Sequence, residues 1–112
     1  MDRLKKYQLI LEKFFNKRFK IQDRQAQDIR AHLLINEQKT DFILIEMGWL
    51  KKLFVHTVVF HIEIKNNKIW IYEDKTDIDV ANILVQAGIE KSNIVLGFLS
   101  PTLREFSEYA VV

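Results

Sequence analysis

The feature that most constrains this chain is a strand–turn–strand segment in the middle of the sequence. Residues 53–64 are rich in Val, Ile, Phe and Thr and contain no Gly or Pro, which predicts a long β-strand. Asn66 and Asn67 follow, and asparagine tolerates the positive φ angles of a two-residue hairpin turn. We therefore expect residues 68–72 to return as an antiparallel strand.

The two-residue turn sets the register of this hairpin. One face then consists of isoleucines: Ile62, Ile64, Ile69 and Ile71. The other face pairs a polar with an aromatic side chain at two positions: Glu63 with Trp70, and His61 with Tyr72. The isoleucine face is predicted to be core, and the polar-aromatic face is either partly solvated or an interface.

Helical periodicity appears on both sides of the hairpin. Residues 1–20 are predicted to form an amphipathic helix, and the polar run at residues 22–27 then predicts a loop. A second helix is expected to start near Thr76, in a capping-box-like sequence, and to end before Gly88. Its buried stripe is predicted to be Ile78, Ala81, Leu84 and Val85.

Shorter apolar or alternating runs predict three further strands, at residues 29–35, 42–47 and 94–98. The second of them is expected to end at Gly48, and Ser100 is expected to cap a short final turn. Residues 1–112 are thus predicted to be a single α+β domain with an N-terminal helix, an antiparallel β-meander, a second helix and a short C-terminal strand or turn. The apolar tail at residues 109–112 should be tucked into the core or against a partner.

Composition and motifs exclude several classes of function. There are no cysteines, which excludes a disulfide framework, a thiolate zinc site and a Cys nucleophile. The sequence contains no nucleophile elbow, P-loop, dinucleotide fingerprint or zinc-metalloprotease motif, so no catalytic residue is assigned. No apolar run approaches the roughly 18 residues of a membrane span, and the start lacks a secretory signal, so a cytoplasmic protein is expected.

The histidines predict no shared metal site, and one cluster of carboxylates leaves two alternatives open. His56 and His61 lie five residues apart on one predicted strand, and this odd spacing places them on opposite faces unless a bulge intervenes. An acidic cluster lies where the second helix is expected to begin: Glu73, Asp74, Asp77 and Asp79. These carboxylates either hold Mg²⁺ or are stabilised by the helix dipole and the unpaired amides of the first turn.

Charge is distributed unevenly along the chain. Residues 1–24 carry eight basic and three acidic side chains, whereas the rest carries nine basic and twelve acidic ones, for a net charge of +2. The basic side chains on the polar surface of the first helix are Lys5, Lys6, Lys13, Lys17 and Lys20. A helix of this kind can lie along DNA phosphates, be solvated, or dock onto an acidic partner.

Three motifs, in order and with matching spacing, resemble one family. Residues 59–71, VFHIEIKNNKIWI, resemble the hIdIKnGKIWIq segment of the XisI family, the element-excision controlling factors first named for the fdxN element of cyanobacteria. Residues 76–85 are similar to its T-[ED]-I-x-[VI]-A-N-x-L-V helix, and residues 94–101 to its dIVLGFhSP block. Asn67 replaces the usual turn Gly, and Leu99 replaces a common His.

The resemblance implies a small α+β protein, without a cofactor, that acts with a companion, XisH, to control excision by the recombinase XisF. Combined with the polar-aromatic face, it predicts a non-catalytic regulatory subunit that binds a protein partner and also itself, as a homodimer or larger assembly. The predicted partner-binding residues are His61, Glu63, Trp70, Tyr72, Phe98, Arg104 and Tyr109. The alternative is an architectural factor that binds DNA directly through the lysines of the first helix.

Overall fold

A computed structural model of the protein describes residues 2–24 and 27–112, so Met1 and two positions of the predicted 22–27 loop lie outside the described residues. Within these ranges a five-stranded sheet is accompanied by three α-helices. In chain order the elements are α1 (Arg3–Gln22), β1 (Ile29–Ile35), β2 (Asp41–Leu50), β3 (Leu53–Lys65), β4 (Lys68–Asp74), α2 (Val80–Gln86), β5 (Ile94–Leu96) and α3 (Pro101–Arg104). The sheet order is β1-β2-β3-β4-β5.

The sheet is mixed. The first four strands form an antiparallel meander, as the sequence predicts, and β5 lies parallel to β4 because α2 carries the chain back across the sheet. The α+β class, the N-terminal helix and the short C-terminal elements are therefore confirmed. One face of the sheet packs against α1 and α2, and we call the opposite face the outer face.

Helix α1 covers the inner face of the sheet with aromatic rings. It begins because the Asp2 carboxylate caps it, accepting a hydrogen bond from the backbone N–H of Lys5 at 2.8 Å. Its buried side chains recur at three- and four-residue steps: Tyr7, Leu11, Phe14 and Phe15. Phe15 stacks on Phe42 of β2, with the ring centroids 5.5 Å apart, and meets Phe60 of β3 edge-on. This cluster joins the helix to the centre of the sheet.

The hairpin of β3 and β4 forms as the sequence predicts near its turn. Asn66 and Asn67 adopt φ angles of 54° and 61°, which are the left-handed values that such a turn requires. The predicted isoleucine face is buried in the core: Ile62, Ile64, Ile69 and Ile71. The register predicted from the turn therefore identified the buried side chains of this hairpin correctly.

Further from the turn, the predicted register is wrong. Ile62 faces Ile71 as expected, but His61 faces Glu73 rather than Tyr72. Tyr72 is an extra residue of β4, inserted as a bulge, and a bulge changes the pairing of every residue beyond it.

A second irregularity corrects the placement of two histidines. Val59 is an extra residue of β3 relative to β2, and both Val59 and Phe60 are buried. As a result, His56 and His61 lie opposite residues of β2 that are four apart, and so they share the outer face. The expectation of opposite faces, which assumed an unbroken strand, is therefore wrong.

Helix α2 starts later than the sequence predicts. Its first residue is Val80, and the cap is Asp79, whose carboxylate accepts a hydrogen bond from the backbone N–H of Asn82 at 3.1 Å. Thr76 does not cap the helix, because its hydroxyl and its backbone N–H both donate to the carboxylate of Asp74. This local turn holds Thr76 outside the helix.

The end of α2 is as predicted. Gly88 has a φ of 119°, and its N–H donates to the carbonyl of Val85. The next N–H, of buried Ile89, donates to the carbonyl of Leu84. These two hydrogen bonds form a Schellman motif, in which glycine supplies the left-handed residue and Ile89 the apolar contact.

Strand β2 continues beyond Gly48, where the sequence was expected to end it. Gly48 has a φ of 157°, and a Cβ built there would lie 1.9 Å from the carbonyl oxygen of Asp28. The missing side chain lets the backbone just before β1 approach β2, and the Trp49 N–H donates to the carbonyl of Asp28 at 3.3 Å. Glycine here permits strand pairing instead of ending it.

Both edges of the sheet carry a short additional pairing. The N–H of Ala110 in the C-terminal tail donates to the carbonyl of Ile94 at 2.8 Å, which extends the sheet beyond β5. At the other edge, Arg24 forms an isolated antiparallel bridge with Ile29. The expectation that the tail is tucked in is met at Ala110, whereas Val112 is 67% exposed.

Candidate functional site

Five of the seven predicted partner-binding residues gather on the outer face, beside the C-terminal end of the chain. We call this set the polar-aromatic surface: His61, Glu63, Trp70, Tyr72 and Arg104. Strand alternation carries the first four outward, while the core-facing isoleucines between them fix the backbone. Each of the five side chains is half-buried.

Two hydrogen-bonded pairs cross this surface. His61 Nε2 lies 2.8 Å from Asp41 Oδ1 on β2, and the Tyr72 hydroxyl donates to Glu63 Oε1 at 2.6 Å. The rings of His61 and Tyr72 lie 5.1 Å apart, so the bulge separates their backbones from direct pairing but leaves their side chains in contact. The polar groups are thus directed at one another across the strands.

Tyr72 has an unusual ionisation equilibrium. Burial, followed by the hydrogen bond and the negative charge of Glu63, raises the pKa of its hydroxyl above the ordinary tyrosine range. Its ring also lies against Gly97, where an added Cβ would come within 2.8 Å of the Tyr72 ring. Tyr72 is therefore a neutral hydrogen-bond donor at physiological pH, in a fixed position.

Replacing Tyr72 by phenylalanine tests this hydrogen bond. Because the pKa is raised in the folded protein, the hydroxyl stabilises the fold below the unfolded-state pKa of about 10, and that contribution declines as the pH rises further. We expect Tyr72→Phe to lower the free energy of unfolding by about 1 kcal/mol near neutral pH. The difference should narrow in alkaline buffer when urea melts of both proteins are compared. A pH-independent difference would contradict this assignment.

Trp70 lies between two cations. The Lys65 ammonium is 4.1 Å from its ring centroid and the Arg104 guanidinium carbon is 5.3 Å away, and the ring stacks near Tyr72 at 6.3 Å. Its indole Nε1 is buried without a hydrogen-bond partner among the described residues. The indole is therefore fixed by cations and by a neighbouring ring.

Arg104 also holds the end of the chain in place. Its Nε donates to the carbonyls of Leu96 and Leu99, at 3.3 and 3.0 Å, and its Nη1 donates to the carbonyl of Val111 at 3.3 Å. Lys68 contacts the carbonyl of Val112 from the adjacent strand. The polar-aromatic surface is therefore continuous with the exposed end of the tail.

The other two predicted residues lie elsewhere. Phe98 and Tyr109 line a cavity of about 280 Å³ beside the start of α2, with Asp79 at its edge. Burial, with a smaller effect from the Asp79 carboxylate, raises the pKa of the Tyr109 hydroxyl. Phe98 is 54% exposed. The structure thus divides the predicted set between two places.

All five predicted DNA-binding lysines are exposed on α1. Lys6, Lys13, Lys17 and Lys20 are seven, four and three residues apart, a spacing that forms one stripe along a helix. Lys5 falls outside this stripe. Among the residues that the structure describes, no ion pair involves any of the five.

Three of the four carboxylates in the acidic cluster accept local hydrogen bonds, cap α2 or form an ion pair. Asp74 accepts two hydrogen bonds from Thr76, Asp79 caps α2, and Glu73 forms an ion pair with Lys75 at 2.9 Å. Within residues 2–24 and 27–112, no three His, Cys, Asp or Glu side chains converge as a metal site. The capping alternative therefore accounts for Asp79.

Sequence reasoning missed a buried carboxylate. Glu46 of β2 is only 8% exposed and accepts hydrogen bonds from Arg24 Nη2 at 3.0 Å and Gln22 Nε2 at 2.9 Å. The signal was its position two residues after buried Leu44, which places it on the inner face. Its hydrogen bonds tie the end of α1 to the sheet.

A second missed feature is an aromatic pair at the far end of the outer face. Trp49, which is 55% exposed, lies 5.0 Å from Phe54 between ring centroids. With Arg30, the two rings line an open cavity of about 410 Å³.

No α-helix in the described part of the chain is long and apolar enough to cross a bilayer.

Comparison with known proteins identifies relatives over the whole length. The family description XisI protein matches residues 1–111. A search of curated proteins gives no significant match. Two similar crystal structures come from Anabaena variabilis ATCC 29413, and each comparison covers 99% of this chain and 100% of the other.

The first of these structures is the fdxN element excision controlling factor XisI, with 29% identity and a TM-score of 0.84. The second is a XisI-like protein, with 28% identity and a TM-score of 0.88. The name of the first relative describes a factor that controls excision of the fdxN element. The near-complete family match and the shared fold lead to one conclusion: this chain belongs to the XisI family.

Proposed function

We propose that the protein is a non-catalytic controlling factor of DNA element excision that works by docking onto a protein partner. The proposed partner is an XisH-like protein acting with a recombinase, and the docking site is the polar-aromatic surface with the adjacent tail. The observation that carries the proposal is the placement of two half-buried rings, Trp70 and Tyr72, within a border of charged side chains. Interface centres share this composition, since aromatic rings bury large apolar areas and charged groups surround them.

The chemistry of the surface favours docking over catalysis. The Tyr72 hydroxyl is held neutral by its raised pKa and is already donated to Glu63, and His61 is engaged with Asp41. A neutral phenol is a weak nucleophile and a weak base at physiological pH. The pairs therefore fix the rings in place, and preorganised rings lower the entropic cost of association.

Replacing Trp70 by alanine is expected to weaken binding of a purified XisH-like protein by about thirtyfold, which corresponds to a central aromatic contact of about 2 kcal/mol. Trp49→Ala is the matched control, because that indole is exposed at the far end of the same face. Isothermal titration calorimetry measures both affinities, and circular dichroism verifies folding. Glu63→Lys, at the charged border of the surface, should also weaken binding of the XisH-like protein. Equal affinities of the two tryptophan variants would place the interface elsewhere.

Self-association is proposed to use the same surface, because the exposed Val111 and Val112 extend its apolar area next to Arg104. Sedimentation velocity of the full chain should show a dimer or larger species. Deleting Val111 and Val112 removes exposed residues and leaves the Ala110 pairing intact. The deletion should shift the chain to monomer, and a wild-type monomer at high concentration would contradict self-association.

The second candidate is direct DNA binding by the lysine stripe of α1. Lys6 to Lys20 span about 21 Å of helix, long enough to approach several phosphates, and the four lysines form no ion pairs in the described ranges. Phosphate contacts predict an affinity that falls steeply as salt rises.

A fluorescence-anisotropy titration of duplex DNA with the chain alone tests this candidate. If it is correct, Lys13→Glu combined with Lys17→Glu should weaken binding by at least about tenfold and reduce the salt dependence. Lys5→Glu is the matched control, since it reverses an exposed charge of the same helix outside the stripe. Undetectable binding at low salt would exclude this function and leave docking to a protein.

A further inference from the structure

A groove runs between α1 and α2 on the side opposite the polar-aromatic surface, separated from it by the sheet. Its cavity volume is about 380 Å³, and its apolar lining comes from both helices and the residue that ends α2: Leu9, Ile10, Phe14, Ile83, Leu84 and Ala87. Docking through the polar-aromatic surface does not use this groove, whereas the lysine stripe considered above for DNA runs along its edge.

The groove has a buried floor and exposed apolar walls. Leu84 is fully buried and Phe14 is 8% exposed, so the floor is part of the core. Leu9 is 54% exposed and Ile83 is 39% exposed, one on each helix. Two aliphatic side chains that line one groove, both in contact with water, are stabilised when an apolar surface covers them.

The edge of the groove is positively charged and uncompensated. Lys13 and Lys17 line it along α1, and the ammonium of Lys6 lies 3.6 Å from the position of an added Cβ at Gly88, next to the end of α2. None of the three forms an ion pair within the part of the chain that the structure describes. The lining residues include no carboxylate, and α2, VANILVQ, carries no charge.

Length and chemistry point to one occupant. The lining of α1 extends from Leu9 to Lys17, about 12 Å along the helix axis, which matches the roughly 10 Å that separate apolar anchors two turns apart on a second helix. We propose that this groove binds an amphipathic helix of a protein partner, whose apolar side chains cover Leu9 and Ile83 and whose acidic side chains pair with the lysines. DNA would satisfy the lysines and leave the apolar walls in water.

The test uses the full chain and a fluorescein-labelled synthetic helix of about 16 residues, with leucines at positions i, i+4 and i+7 and glutamates beside them. Anisotropy should show saturable binding. A matched peptide with lysines in place of the glutamates keeps the same apolar face and should not bind. Failure of the acidic peptide to bind, or equal binding of the two peptides, would overturn the proposal.

Substitutions on the protein locate the peptide. Leu9→Ala and Ile83→Ala should each weaken the acidic peptide by about tenfold, because each removes most of a covered aliphatic side chain. Leu34→Ala is the control, since that leucine is similarly exposed but lies on the outer face. The Leu34→Ala protein should bind the acidic peptide with unchanged affinity. If Lys13→Glu with Lys17→Glu abolishes peptide binding but Leu9→Ala and Ile83→Ala leave the affinity unchanged, the lysines act alone and the groove is rejected.

Two further arms separate this site from the functions proposed above. Trp70→Ala should leave peptide binding unchanged. A wrong assignment of the partner-docking surface can then be distinguished from a wrong assignment of the groove. Leu9→Ala should leave any duplex DNA binding unchanged. Loss of DNA binding and peptide binding together in Leu9→Ala, with the fold intact, would contradict the assignment of this leucine to a peptide contact.

Discussion

Phe15→Ala is expected to lower the free energy of unfolding by about 3–5 kcal/mol, the usual cost of removing a fully buried ring. Phe15 is 0% exposed and contacts the rings of Phe14, Phe42 and Phe60, with centroid distances between 5.4 and 6.3 Å. Removing it loses the transfer energy and leaves a cavity between α1 and the sheet. Since domains of this size are stable by only about 5–15 kcal/mol, the variant should be close to unfolding at physiological temperature.

Urea denaturation followed by circular dichroism measures this loss. Phe106→Ala is the matched control, because that ring is 83% exposed and its removal should change stability by less than about 0.5 kcal/mol. A loss below about 1 kcal/mol for Phe15→Ala would show that α1 can repack over the sheet, contrary to the ring cluster described above.

Gly48→Ala is expected to have the second largest effect. Its φ of 157° is rarely adopted by residues with a side chain, and the new Cβ would lie 1.9 Å from the backbone oxygen of Asp28. Backbone strain costs about 1–3 kcal/mol, and forcing atoms into occupied space costs about as much again. A loss of about 3–5 kcal/mol therefore follows, because neither backbone can move without disturbing the pairing of β1 and β2.

Gly88→Ala separates strain from collision. Gly88 also has a positive φ, of 119°, but an added Cβ would only come within 3.4 Å of the flexible end of Lys6. We expect a loss of about 1 kcal/mol at this helix end. Thermal melts of both variants should therefore show a markedly larger decrease for Gly48→Ala. Similar losses would mean that the loop before β1 yields to the new side chain.

The sequence predicts those parts of the fold that depend on neighbouring residues. The Asn66-Asn67 turn fixed the isoleucine face, and Gly88 marked the end of α2, because each depends on the φ of one or two residues. The prediction was wrong where two local signals compete. Thr76 and Asp79 are both good capping residues, and only the hydrogen bonds from Thr76 to Asp74 decide between them.

Features that depend on distant contacts could not be predicted. The bulge at Tyr72 has no local turn residue to mark it, although the polar-aromatic face was still correctly assembled from strand alternation. The hydrogen bonds from Gln22 and Arg24 to Glu46 join residues more than twenty positions apart. Phe98 and Tyr109 were predicted as partner-binding residues without a register to place them, and they line a separate cavity.

The short pairings at the two sheet edges bear on how this chain behaves when it is concentrated. Unpaired edge strands are the usual templates for runaway growth of β-aggregates, since each added molecule exposes a new edge to the next. Here Ala110 occupies part of the β5 edge, and Arg24 occupies the start of the β1 edge. Addition of a further strand is thereby hindered at one position of each edge. The exposed apolar side chains of this chain therefore carry a reduced risk of fibre formation.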